Sequence, residues 1–311
     1  MALVFCALAV LPGGSFAEGK VFYAEDTEPF APDAKLMTIR VAGMKNGDSM
    51  LITCGEESML VDLGTDSAQE YIRAMLEDAG VNGVDYFCNT HPHDDHIGGL
   101  MPLAESGFPI GSMITFFPHD YVAPSAPQKL GIRTAQEHQI PIIDAKTGDT
   151  MTLGDAKITF YRLPEKKYTW KLSCNDQSAM LRVQFGDCSA LLTGDVEIRS
   201  QQVLARLYDQ NLKADVVKVP HHGASKMDQS FLEKVDPEYA YVTGGALETQ
   251  DVQKQLKKRG VDRISFTAWG MITLQTDGTR WIVRQSLRPE MDEFIERYQE
   301  SHPWLRTQGV S

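Results

Sequence analysis

The sequence has no basic surplus: 30 Lys and Arg stand against 42 Asp and Glu, a formal net charge of −12. A protein that grips duplex DNA by its phosphates generally presents a basic face, so this deficit weighs against a dedicated DNA-binding protein. Lys166, Lys167, Lys171, Lys218 and Lys226 lie near the segments discussed below and leave room for a local basic groove. A solvated surface is the expected setting for such lysines. Nor does any apolar run reach the roughly 18–20 residues that a bilayer-spanning helix needs, so no transmembrane domain is expected. Cysteine is scarce, five in 311 residues, and no pair has C-x-x-C spacing, which argues against a structural zinc knuckle. Cys54 and Cys88 each end an apolar run and read as buried strand residues. Export would permit a disulfide among Cys54, Cys88, Cys174 and Cys188 without specifying one.

What is present is ordinary for a globular chain: 42% apolar and 23% charged residues, with length for one large α/β domain or two modest ones. Residues 1–17 read as a signal peptide, with an apolar stretch Ala2–Leu11, a Pro12-Gly13-Gly14 break and a small-x-small end at Ser15-Phe16-Ala17. The segment lacks a Lys or Arg before its apolar run, yet the reading places the protein outside the cell or on its surface. Residues 18–34, acidic with Pro29 and Pro32, read as a linker or wrapping arm. Residues 35–285 form the patterned domain, and 286–311 a charged helical tail.

Short apolar runs punctuated by glycine predict strands at Leu36–Ala42, Met50–Thr53, Ser58–Val61 and Val84–Cys88, with a helix after Asp66-Ser67 that Gly80 stops. A helix near Gln128–His138 sits in the polar section His119–Ile140, the expected lid or insertion. Ser178–Phe185 and Ser189–Thr193 flank Gly186-Asp187, a two-residue hairpin signal. Strand Asp215–Pro220 ends on His221-His222-Gly223, and strands near 264–266, 271–275 and 280–283 close the domain. Each half repeats several strands and then helices, which predicts an α/β fold of two packed sheets with helices outside, a four-layer αββα sandwich.

The chemistry concentrates in His91-Pro92-His93-Asp94-Asp95-His96. His91 and His93 sit two apart at the end of an apolar strand, so both imidazoles can reach one cation. Asp95 and His96 follow where the chain turns and face a neighbouring position. At this chain's own His and Asp frequencies such a pattern arises by chance with a probability on the order of 10⁻⁴. Imidazole and carboxylate suit zinc, manganese or iron, and paired cations about 3.5–4 Å apart activate water for hydrolysis. Asp195, after the apolar run Leu191-Leu192-Thr193-Gly194, is the natural bridging carboxylate, and His221 and His222 close another strand.

Taken together these segments resemble the metallo-β-lactamase fold hydrolases, and within them the hydrolase domain of the DNA-uptake competence proteins (ComEC-like). The shared signature runs from Leu36 to about Val283 and includes Asn46-Gly47-Asp48-Ser49-Met50-Leu51-Ile52, Leu60-Val61-Asp62-Leu63-Gly64, the His91–His96 loop, Leu191–Asp195 and Val219–Gly223. The resemblance implies two divalent ions, zinc or manganese, with His91 and His93 on the first, Asp95, His96 and His221 on the second, and Asp195 bridging. It implies that Asp62 orients the ligand loop, and that Asp95 and His222 serve the chemistry, His222 by proton transfer or by holding a phosphoryl oxygen.

The departures are specific. No histidine lies between His138 and Asp195, where such hydrolases place a further ligand of the first metal; Asn175 sits there instead. Ala224 replaces the expected serine, and Thr243-Gly244-Gly245-Ala246 lacks the Asn and His-Pro often found there. A carboxylate rather than a cysteine at the bridge argues against β-lactam hydrolysis and for a phosphodiester or related ester, either single-stranded DNA or a phosphorylated cell-envelope polymer. The alternative is a non-catalytic, metal-stabilised binding module with a degenerate first site. No protein partner is inferable.

Overall fold

The computed structural model describes residues 19–117, 125–164 and 172–306. The signal-like segment, part of the expected lid and Lys166, Lys167 and Lys171 lie outside the described residues.

The first half of the chain supplies β1 (Val21–Tyr23), β2 (Met37–Val41), β3 (Ser49–Cys54), β4 (Glu57–Leu63), β5 (Val84–Asn89), β6 (Ile110–Thr115) and β7 (Ile142–Asp144). Between them run α1 (Gln69–Ala79), α2 (Asp94–Ile97), α3 (Leu100–Glu105) and α4 (Ala126–Glu137). The second half supplies β8 (Thr150–Leu153), β9 (Ala156–Tyr161), β10 (Met180–Phe185), β11 (Cys188–Leu192), β12 (Val216–Lys218), β13 (Tyr239–Val242) and β14 (Arg263–Phe266). Its helices are α5 (Ile198–Tyr208), α6 (Gln229–Val235) and α7 (Gln250–Lys258). The chain then returns to the first sheet with β15 (Gly270–Thr276) and β16 (Trp281–Leu287) before α8 (Asp292–Ser301).

The sheets run β1-β16-β15-β2-β3-β4-β5-β6-β7 and β14-β13-β12-β11-β10-β9-β8. Both mix modes: β4 to β7 and β11 to β14 pair in parallel, while the hairpin strands β2 to β4 and β8 to β11 pair antiparallel. Ile39, Ile52, Val61 and Cys88 of one sheet pack on Ile158, Leu181, Val183 and Ala190 of the other. Ile72, Met75 and Leu76 of α1 and Leu100 and Leu103 of α3 cover the outer face of the first sheet at Leu51, Leu60 and Phe87. Leu204, Phe231, Leu232, Val252, Leu256 and Ile295 of α5 to α8 cover the second at Leu191, Val217 and Ala240. The expected four layers are therefore formed, and each parallel strand carries apolar residues on both faces because both faces are covered.

Two boundaries differ from the sequence reading. The segment 18–34 is not only a linker, because β1 joins the first sheet in parallel with β16, Val21 opposite Trp281. The tail is no separate appendage either: Ile295 and Tyr298 of α8 are buried, and Tyr298 packs edge-on against Trp269.

Candidate metal centre

The parallel strands deliver their C-terminal ends to one edge of the sandwich, where ligands gather in open α/β sheets. There β4 carries Asp62 as its next-to-last residue, β5 leads into the His91–His96 loop, β11 into Asp195 and β12 into the His221-His222 turn. The loop before β3 crosses the histidine loop at Gly47, where φ is +96° and an added Cβ would lie 2.8 Å from the Asp95 carbonyl oxygen, so only glycine fits.

Asp62 is aimed by a β-bulge. The β3–β4 register slips between Ser49 and Met50, and Asp62 takes a left-handed φ of 55°. A bulge of this kind re-aims one side chain. The fully buried carboxylate accepts from Asn89 Nδ2 at 3.0 Å, Thr90 N at 2.8 Å, Thr90 Oγ1 at 2.6 Å and His96 Nδ1 at 2.7 Å. Thr90 Oγ1 in turn lies 3.2 Å from His91 Nδ1. With the hydroxyl proton directed to Asp62, this network assigns the Nδ1–H tautomer to both His91 and His96. Their Nε2 lone pairs then point into the site. One carboxylate thus orients an imidazole in each half of the loop.

Asp195 Oδ2 lies amid the imidazoles: 3.2 Å from His96 Nε2, 3.3 Å from His222 Nε2, 3.8 Å from His91 Nε2 and 4.0 Å from His221 Nε2. His222 Nε2 is also 3.2 Å from Asp95 Oδ2, and His91 Nε2 is 3.1 Å from His93 Nδ1. The ligand atoms of Asp95, His96, Asp195 and His222 fall within 4.8 Å of one another. Buried His96 Nε2 and His222 Nε2 have no hydrogen-bond partner. Orphaned lone pairs converging on carboxylates are what a divalent cation satisfies, so the donor set fits one.

Burial works against charge here, but the surrounding carboxylates overrule it. Buried His96 is pushed up to about 10 by Asp195, Asp62 and Asp48. His222 is likewise raised, desolvation being outweighed by Asp195 and Asp48. Burial and the neighbouring His96 hold His91 well below the usual histidine range. Asp95, despite desolvation, is lowered to about 2 by its contacts with His222 and His96.

The turn presents its two histidines differently from the ligand set that the resemblance implies. His222, not His221, joins Asp95 and His96, because His221, His222 and Gly223 all take left-handed φ (50°, 52° and 77°) and turn the chain sharply. Thr243 Oγ1 at 2.9 Å and Asp48 Oδ1 at 3.3 Å face His222 Nδ1. Thr243 and Asp48 thus hold the Nδ1 side of His222, and its Nε2 side faces Asp95 and Asp195. His221 stands beside Asn175, whose Nδ2 donates to its Nε2 at 3.3 Å.

Two residues were missed. Lys218, expected at the surface, is fully buried; its ammonium bonds Asp48 at 2.7 Å and the Gly194 carbonyl at 2.8 Å and sits 3.5 Å from Asp195 Oδ1. Its signal was legible, a lysine inside the apolar run Val216–Val219 next to a histidine pair. Asp48, likewise fully buried, is held below the usual carboxylate range against desolvation by Lys218 and His96.

The metallo-β-lactamase superfamily profile matches residues 42–245. The chain is 27% identical over 250 residues to competence protein ComA of Neisseria gonorrhoeae, covering 78% of this chain and 32% of that protein. It is 27% identical over 167 residues to ComE operon protein 3 of Bacillus subtilis, covering 53% and 20%. It therefore spans about a third or less of these relatives' length. Among solved structures, a mutant of the CmlA beta-hydroxylase superposes with a TM-score of 0.50 at 12% identity, covering 80% of this chain and 55% of that one, a likeness of fold. On this match and this site, the chain belongs to the metallo-β-lactamase superfamily, whose members are generally metal-dependent hydrolases.

Proposed function

We propose that the protein is a two-metal hydrolase that cleaves a phosphodiester or related ester. The observation that carries this is the Asp195 carboxylate, with one oxygen facing imidazoles of both halves of the loop and the other facing Lys218. Asp95, His96, His222 and Asp195 would hold one cation; His91, His93 and Asp195 the other. The bound pair, zinc or alternatively manganese, supplies Lewis acidity that lowers the pKa of water and steadies negative charge developing on the ester.

The chain's own groups do the positioning. Asp62 fixes His96 directly and His91 through Thr90, and Thr243 fixes His222. The Lys218 ammonium engages Asp195 Oδ1 and leaves Oδ2 for the imidazole cluster. Asp95, partly exposed and ionised, stands where an incoming water can be held and oriented. Such preorganised groups act before the reaction begins and cost no rearrangement during it. Asp195 at the bridge favours phosphorus or ester chemistry over β-lactams; the substrate is single-stranded DNA, in line with the resemblance to DNA-uptake hydrolase domains, or a phosphorylated cell-envelope polymer, and the net charge of −12 weighs against DNA. The signal-like start supports action outside the cell.

Turnover of bis(p-nitrophenyl) phosphate by metal-stripped protein, with zinc or manganese added back, tests the reading. The expected result is metal-dependent turnover that His93→Ala removes. Tight metal binding without turnover would leave the non-catalytic binding module. Degradation of single-stranded DNA at low and high salt tests the substrate, and failure to cut at low salt removes DNA.

A further inference from the structure

We infer that His221 is a ligand of the first metal half-site, completing the set His91, His93 and Asp195; this rests on the two-metal reading above. By family pattern that half-site is one histidine short, with Asn175 standing in the expected region. The structure has a further imidazole facing the shared Asp195 carboxylate. His222 occupies the second half-site with Asp95 and His96, and one residue earlier His221 presents its own Nε2 4.0 Å from Asp195 Oδ2, the oxygen that His91 Nε2 approaches to 3.8 Å.

The backbone explains how adjacent histidines serve two half-sites. Both take left-handed φ, at roughly 1–2 kcal/mol each for residues with a Cβ. Glycine would make the same turn without that strain, so the side chains are the reason to tolerate it. The turn separates the rings, whose centroids lie 6.0 Å apart with planes at 67°.

Asn175 supplies the second observation. It is buried, its Nδ2 donates to His221 Nε2 at 3.3 Å, and its Oδ1 is buried without a partner. The amide therefore occupies the lone pair of His221 while its own oxygen goes unsatisfied. A cation at His91, His93 and Asp195 would take that lone pair. Asp176, bonded to Ser173 and to Ser200 Oγ at 2.6 Å, anchors the turn that holds Asn175 here.

The test is cobalt titration of the chelator-stripped full chain, following absorption and bound equivalents, for the wild type, His221→Gly and His221→Asn. Both substitutions suit left-handed φ and remove the ring. Wild type should take two equivalents. Each variant should keep one at unchanged affinity and weaken the other by at least about tenfold, since even loss of an outer contact costs 10–100-fold. The metal-free His221→Gly protein should melt no lower than wild type, because a strained residue has been relieved. If it does melt lower, His221→Asn decides by the same titration. Two equivalents at wild-type affinities in the variants would overturn the inference, as would a single wild-type equivalent that survives them. No cobalt uptake by the wild type would instead sink the two-metal reading itself.

Discussion

At the scale of single residues, Asp62 and Lys218 set the electrostatics of the site from behind it. Asp62→Asn keeps the shape and tolerates the left-handed backbone but removes the charge that orders His96 and Thr90. Metal affinity should fall 10–100-fold, measured by competition with a chromophoric chelator, while the fold is retained. Unchanged affinity would mean that Asp62 is structural only. Lys218→Met strands Asp48 in a dry interior, and breaking a buried pair from one side costs on the order of 3–5 kcal/mol. Urea unfolding should register that loss, and Asp48→Asn added to Lys218→Met should restore part of it. Additive losses in the double variant would show that the pair is not coupled. Residue identity alone did not reveal these roles. The spacing of His91, His93 and His96 was readable because it is local, whereas the pairing of Lys218 with Asp48 and the place of His222 beside Asp95 and His96 depend on β12 lying between β11 and β13 and on a left-handed turn.

Among the elements, strands and helices with clear periodicity appear close to where the pattern places them, including α1, which Gly80 ends in a left-handed cap. β1 was not legible because three residues in an acidic, proline-containing stretch carry no period. Its place comes from Tyr23, buried, whose hydroxyl donates to the Arg306 carbonyl at 2.6 Å. The polar tail likewise hides its role. Tyr298 stacks on His302 with centroids 4.1 Å apart and bonds Gln253 Oε1 at 2.8 Å, so α8 closes the core beside α7. Tyr298→Ala should cost roughly 3 kcal/mol, read as a lower urea midpoint at unchanged slope. A loss below about 0.5 kcal/mol would return the tail to the status of a surface helix.

Across the whole molecule, two sheets meet at an edge where, among the described residues, the buried carboxylates Asp48, Asp62 and Asp195 outnumber the buried Lys218, and bound cations would offset that excess. Stripping metal should therefore destabilise the entire domain. Free zinc at about 1,000 times its Kd adds about 4 kcal/mol, which corresponds to a melting shift on the order of 5–10 °C. Equal melting temperatures with zinc and with chelator would contradict this. The topology also sets a timetable. β2 pairs with β15, Met37 opposite Thr276, so the edge of β2 has no native partner until β15, more than two hundred residues later, has been synthesised. At roughly 5–20 residues per second, that interval lasts on the order of ten to fifty seconds. Meanwhile β2 to β4 form a nascent meander with one open apolar edge, a template for mispairing between chains on neighbouring ribosomes. Yield in cells should thus depend on how long translation leaves β2 waiting, a kinetic property that the finished sandwich, with β15 in place, no longer displays.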